Sequence, residues 1–253
     1  MQRVVTFPDS EMHFELFDRG SRELVIFLGG ARNTDAAPPR FAGRHICNTV
    51  GVSSVHVSDP AYIRDNRIKL AWYGGTSGTP LQRVLPGLVT SWMAEVRAAK
   101  LIFVGGSGGG FASIYYAAKM PGSAALVWNP QTDIMRYNKE QRRMYGSLAF
   151  DVPENISEQK LRRSIDVDVL GRIPSRLHIM QNWRDHHVDN HFNPYLRSLG
   201  LDEVGKASQR RKYSDHNLSI FMDDWGPGHS APHRDCIASE LAALLQENAV
   251  LVA

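Results

Sequence analysis

Ser107 stands in FVGGSGGGFAS, residues 103–113, surrounded by five glycines and preceded by an apolar run. Glycine loses the most conformational freedom on ordering, so such a concentration needs a steric or chemical reason. One candidate is a phosphate cradle, but a Walker loop needs lysine and Ser/Thr after its last glycine, and Gly110 is followed by Phe111 and Ala112. The dinucleotide fingerprint Gly-x-Gly-x-x-Gly fails too, because a start at Gly106 puts Phe111 at the third glycine. Gly-x-Ser-x-Gly fits without adjustment as Gly105-Gly106-Ser107-Gly108-Gly109, between an apolar strand and a helical pattern. In such an elbow the serine sits on a strained turn, its neighbours must be small, and the following N–H, that of Gly108, points toward a developing oxyanion. Gly75-Thr76-Ser77-Gly78-Thr79 lacks both the final glycine and the strand, and Gly110 lies beyond the motif with no role in it.

A serine hydroxyl attacks only when a base takes its proton, so Ser107 requires a histidine and an acid to orient it. Of the ten histidines, His229 is best placed, in the small-residue loop DWGPGHSAP just before the last helical pattern; His233 and His216 are the alternatives. Asp185 follows the strand-like Arg176–Asn182 and is the expected acid, with Asp189 and Asp133 as alternatives. A second oxyanion donor is expected from Gly29-Gly30-Ala31, by the N–H of Ala31 or Gly30. His186, His187, Asp189 and His191 suggest a metal site, since His187 and His191 are four apart. Asp189 meets the place of the HExxH glutamate only if that motif is shifted, so the segment reads as a polar loop around the acid, with no metal and no cofactor expected.

These residues need a scaffold. Arg3–Phe7 and His13–Phe17 read as an opening hairpin, and Glu23–Leu28, Val52–Val57, Leu101–Val104, Ala124–Trp128 and Leu177–Met180 as short unbroken apolar runs. Unbroken runs suit strands covered on both faces, as in a parallel sheet. Helical patterns occupy Leu81–Lys100, Gly109–Met120, Asn193–Ser198 and Pro232–Glu247, the last with Ile237, Leu241, Leu244 and Leu245 on one face. The order predicts an α/β fold with a mostly parallel central sheet flanked by helices. Residues 133–172 are polar and helix-permissive, and read as a helical cap insertion or a plain two-helix connection within a single domain spanning 1–253.

Composition narrows the classes. The 253 residues are 43% hydrophobic and 22% charged, ordinary for a globular chain. The net charge of +3 comes from scattered basic residues, which argues against nucleic acid as a partner. Cys47 and Cys236 form no disulfide framework. Without a signal-like apolar core or a stretch near the roughly 20 residues of a membrane span, the expected location is cytoplasmic. Trp72, Tyr73, Trp128, Trp183 and Trp225 suit either a pocket wall or a core.

The order Ser, Asp, His, the GGSGG elbow, the GGA turn and the GPGHSAP loop with its helix resemble the α/β-hydrolase superfamily from about residue 20 onward. The GGA turn departs from HGG-type esterases in lacking their histidine. WNPQTDI (128–134) and QNWRDHHV (181–188) are similar to segments of hydrolase-like proteins associated with bacterial surface glycans. The resemblance implies an acyl-enzyme route on an ester or related acyl substrate, small or glycan-linked. Acyl transfer to a sugar hydroxyl on the same residues, or a binding module keeping only the pocket, are the alternatives.

Overall fold

The computed structural model describes residues 2–32, 37–203, 211–215 and 217–250, with backbone alone for 211–213, 215 and 247–250. Its strands are β1 (Gln2–Thr6), β2 (Glu11–Phe17), β3 (Glu23–Leu28), β4 (Ser53–Val57), β5 (Lys100–Gly106), β6 (Ala124–Trp128), β7 (Arg176–Asn182), β8 (Arg211–Asp215) and β9 (Leu218–Asp223). They form one nine-stranded sheet in the order β1-β2-β4-β3-β5-β6-β7-β9-β8. Every neighbouring pair from β4 across to β9 is parallel, while β1, β2 and β8 join antiparallel at the edges.

The unbroken apolar runs have a direct cause. Along β3, Leu24, Ile26 and Leu28 face one core while Val25 and Phe27 face the other. β5 divides in the same way, Leu101 and Phe103 against Ile102 and Val104. The first core takes apolar residues from α3 (Leu81–Glu95), α4 (Gly108–Lys119) and α7 (Asn193–Ser198); the short α2 (Ala61–Arg64) joins it through Ala61 and Tyr62. The second is covered by α1 (Arg44–Val50) and α8 (Arg234–Val250), with Ile237, Leu241 and Leu244 of α8 buried as their helical spacing requires.

Two features differ from the sequence reading, the end of α3 and the strands β8 and β9. α3 stops at Glu95 because Arg97 turns left-handed, φ 56°, and the Ala98 N–H closes on the Met93 carbonyl at 2.9 Å. β8 and β9 were not expected: β8 is a charged edge strand, a position that needs no apolar alternation. Residues 133–172 hold α5 (Lys139–Phe150) and α6 (Glu154–Ser164), whose Tyr145 and Leu161 enter the first core together with Ile165 just after α6. The two helices cross closely at Gly146, where a Cβ would lie 2.8 Å from the Ser157 carbonyl oxygen.

Candidate active site

Between β5 and α4 the chain reverses through Ser107 at φ 54° and ψ −121°. A non-glycine residue held there stores about 1–3 kcal/mol, so its surroundings must fix it. They do so through three backbone hydrogen bonds: its N–H donates to the Trp128 carbonyl at 3.0 Å, and its carbonyl accepts from Phe111 and Gln131, each at 3.1 Å. The glycines are clearance for this turn. A Cβ would lie 2.5 Å from the Gly109 carbonyl oxygen at Gly105, 2.0 Å from the Trp128 indole nitrogen at Gly106, 2.4 Å from Leu70 at Gly108 and 2.1 Å from the Leu28 carbonyl oxygen at Gly109. Gly110, outside the motif, is explained by Pro130, 3.0 Å from the place of its Cβ.

Asp185 leaves the end of β7 and is buried; its Oδ2 lies 2.5 Å from Nδ1 of His229. Its Oδ1 accepts the His187 N–H at 2.9 Å and lies 3.2 Å from Nδ1 of the exposed His186. Burial pushes the carboxyl's pKa up, but the bonds from His229 and the His187 backbone, with the nearby imidazoles, outweigh it and leave the pKa below the usual value.

The loop carrying His229 has no regular structure of its own and is held by two buried asparagines. Asn182 Nδ2 donates to the carbonyls of Gly226 and Gly228 at 3.0 and 3.1 Å, and Asn129 Nδ2 to that of Ser230 at 2.9 Å. Asn129 Oδ1 in turn accepts the Asn182 N–H at 2.8 Å, so the exits of β6 and β7 are tied together beneath the histidine.

The segment around the acid is not the polar loop expected. His187 and His191 are each 1% exposed, on the turn entering and within the wide helical turn Val188–Phe192. His187 packs 4.2 Å from the His229 ring, and its Nδ1 lies 3.2 Å from the Asn129 carbonyl oxygen; His191 Nδ1 accepts the Thr132 N–H at 3.3 Å. Burial lowers the first to about 4 and the second to about 3, so both are neutral at pH 7. Asp185, His187 and His229 offer ligand atoms within 4.8 Å of one another. Asp185 and His229 already bond each other, however, and the exposed Asp189 is not part of the group.

The serine hydroxyl is held from the other side. Gln131, fully buried, donates from Nε2 to Ser107 Oγ at 3.1 Å, and its Oε1 accepts the indole N–H of Trp72. Trp72 and Tyr73 both have left-handed backbones, φ 51° and 54°. Tyr73 Oη accepts the Gly29 N–H at 2.7 Å and donates to the Val57 carbonyl at 3.0 Å. This strained pair therefore supports the Ser107 turn and the GGA turn together. Both aromatics are core residues, whereas Trp128 lines the cavity; Trp183 and Trp225 are partly buried against the two cores.

Ser107, His229, Gly30, Ala31 and Gly106 line one cavity of about 230 Å³. No described lining residue comes from 133–172. Of the alternatives, His233 is exposed near Asp235, Asp133 caps the turn at Met135 and pairs with Arg136, and His216 lies outside the described residues. Asn129, Gln131 and Asn182 were missed by the sequence reading. Their one signal is the run of buried amides at two strand exits, inside WNPQTDI and QNWRDHHV.

No protein-family model matches the chain, and no curated protein sequence matches it. Solved structures do. The capsule O-acetyltransferase of Neisseria meningitidis serogroup A aligns over 96% of this chain and 94% of its own, with TM-score 0.65 at 12% identity. An S-formylglutathione hydrolase from Agrobacterium tumefaciens aligns over 98% of both chains, with TM-score 0.54 at 14% identity. The chain has an α/β-hydrolase fold. An esterase of Pyrococcus furiosus agrees, with TM-score 0.57 and 16% identity over 98% of this chain and 90% of its own. At such identities the likeness is one of fold. Among the described residues no helix is long and apolar enough to cross a membrane.

Proposed function

We propose that this protein is a serine hydrolase acting on an ester or related acyl bond, with Ser107 as nucleophile, His229 as base and Asp185 as its orienting acid. The observation that carries the reading is the strained Ser107 sharing a cavity with His229, whose other ring nitrogen is bound to buried Asp185. With its proton on Nδ1 facing the carboxylate, His229 keeps the Nε2 lone pair for the serine proton.

Ser107 Oγ attacks the acyl carbon while His229 takes its proton, and the carbonyl electron pair moves onto oxygen. The N–H of Gly108 and that of Gly30 or Ala31 stabilise this oxyanion. Their neighbours are committed, the Gly29 N–H to Tyr73 and the Arg32 N–H to the Lys69 carbonyl at 2.9 Å. The Gly30 backbone lies against the serine, since a Cβ there would be 3.5 Å from Ser107 Cβ. Each such donor is worth about 10²–10³ in rate. The oxyanion collapses, the leaving group departs with the His229 proton, and water then releases the acyl group by the same route.

Acyl transfer is the second reading, favoured by the likeness to a capsule O-acetyltransferase over nearly the whole chain. An alcohol, a sugar hydroxyl among them, replaces water in the second half. Turnover of 4-nitrophenyl acetate with and without a glycan acceptor separates the two: acylated acceptor in preference to acetate supports transfer, and acetate alone supports hydrolysis. Loss of turnover in Ser107→Ala and His229→Ala by several orders of magnitude is expected for either. Full activity in both variants rejects either.

A further inference from the structure

Two tyrosines grip the GGA turn. Tyr73 Oη accepts the Gly29 N–H at 2.7 Å, and Tyr62 Oη donates to the Gly30 carbonyl at 3.3 Å. One residue sets the backbone of both. Asp59, fully buried two residues past β4, accepts the Ala61 N–H on Oδ1 at 3.1 Å and the Tyr73 N–H on Oδ2 at 2.7 Å, while its carbonyl accepts the Tyr62 N–H at 3.1 Å. Tyr62 is itself 3% exposed and packed in the first core, so its hydroxyl is held in place.

These contacts decide which way the next peptide faces. The GGA turn is a wall between two cavities: Ser107 and His229 line the first, and Tyr62 and Tyr73 line a second of about 170 Å³ on its other side. The Gly30–Ala31 peptide is trans, and in a planar trans peptide the carbonyl and the N–H point in opposite directions. Its carbonyl points to Tyr62, so the Ala31 N–H faces back toward the cavity of Ser107. No hydrogen bond occupies that N–H among the described residues.

We infer that Tyr62 is a positioning residue of the reaction proposed above, holding the Gly30–Ala31 peptide so that the Ala31 N–H joins that of Gly108 at the oxyanion. The hydroxyl acts through one rigid amide. Its donation to the carbonyl fixes the plane of the peptide and polarises it, which strengthens the N–H at the far end as a donor. Tyr62 touches none of the reacting atoms. The inference rests on the reading of Ser107 as nucleophile and deepens it, by assigning the second oxyanion donor and the side chain that aims it.

Tyr62→Phe tests it, because it keeps the ring and removes only the hydroxyl. kcat for 4-nitrophenyl acetate is expected to fall about tenfold with KM little changed, since the donor acts on charge that develops only in the transition state. A tetrahedral mimic gives the readout that a packing role would not move. Ser107 Oγ adds to the boron of phenylboronic acid, the serine proton passes to His229, and a boron-bound oxygen takes the place of the oxyanion. The inhibition constant of this acid should rise about tenfold, in step with kcat. Ala31→Pro deletes the N–H itself and should lower kcat about 10²–10³-fold, after which Tyr62→Phe should add almost nothing. The Tyr62→Phe comparison decides even where Ala31→Pro does not fold. Unchanged kcat and boronate inhibition in Tyr62→Phe, or a full tenfold loss still added to Ala31→Pro, overturns the inference while leaving the serine chemistry intact. A wild type with neither turnover nor a boronate adduct on Ser107 removes the nucleophile reading, and this inference with it.

Discussion

Nδ1 of His229 and Oδ2 of Asp185 lie 2.5 Å apart, across a loop that the fold ties down from two other strands. Asparagine at 185 keeps the size but reverses the hydrogen-bond demand and favours the wrong imidazole tautomer. Asp185→Asn is expected to lower kcat about 10⁴-fold while folding normally. Steady-state kinetics beside thermal unfolding checks this, and a change below tenfold would remove Asp185 from the site.

The buried imidazoles make stability depend on pH. His187 and His191 have folded pKa values of about 4 and about 3, below the unfolded value of about 6.5, so the unfolded chain binds more protons in the interval between. Stability is therefore full above pH 6.5 and falls as pH drops through the window toward 4, by about 1.4 kcal/mol per pH unit for each imidazole. Asp59 opposes part of this. Burial raises its pKa from 3.8 to about 6, so its contribution is present below 3.8 and declines up to 6. Urea unfolding between pH 7.5 and 4.5 should show the net fall, and His191→Gln should reduce the slope.

Asn182 and Asn129 clamp the histidine loop without themselves facing the reacting atoms. Asn182→Ala leaves the carbonyls of Gly226 and Gly228 without their buried donor and should cost about 1–3 kcal/mol. Hydrogen exchange in residues 226–230 should quicken, and kcat should fall more than KM rises. Unchanged exchange in the loop would place its rigidity elsewhere.

Trp72 reaches Ser107 through Gln131. Trp72→Phe keeps an aromatic in the core but deprives Gln131 Oε1 of its donor, freeing the amide to turn. A loss of about tenfold in kcat with KM little altered is expected, on the scale of one hydrogen bond, about 1.4 kcal/mol. Gln131→Leu should match it, and the double variant should add almost nothing, because both changes sever one chain of contacts.

The parallel sheet and its central residues were legible because their signals are local. Each face of β3 and β5 buries apolar side chains, and the elbow glycines are demanded by contacts a few residues away. β8 was hidden by its charged edge position, and α3 overran because nothing in Arg97 advertises a left-handed turn. The amide clamp and the buried histidines depend on pairings between distant segments, Asn129 with Ser230 and His191 with Thr132, which a one-dimensional reading cannot bring together.

Ser107 itself gives the most direct test. A fluorophosphonate reporter carries its own leaving group: the serine oxygen attacks its phosphorus and expels fluoride, phosphonylating only a serine whose proton has a base to accept it, so it needs no knowledge of the natural substrate. Incubation with the native protein, digestion and mass spectrometry should place a single adduct on Ser107, absent from heat-unfolded protein and strongly slowed in His229→Ala. No adduct on Ser107, or equal labelling of native and unfolded chains, would contradict the serine-hydrolase reading.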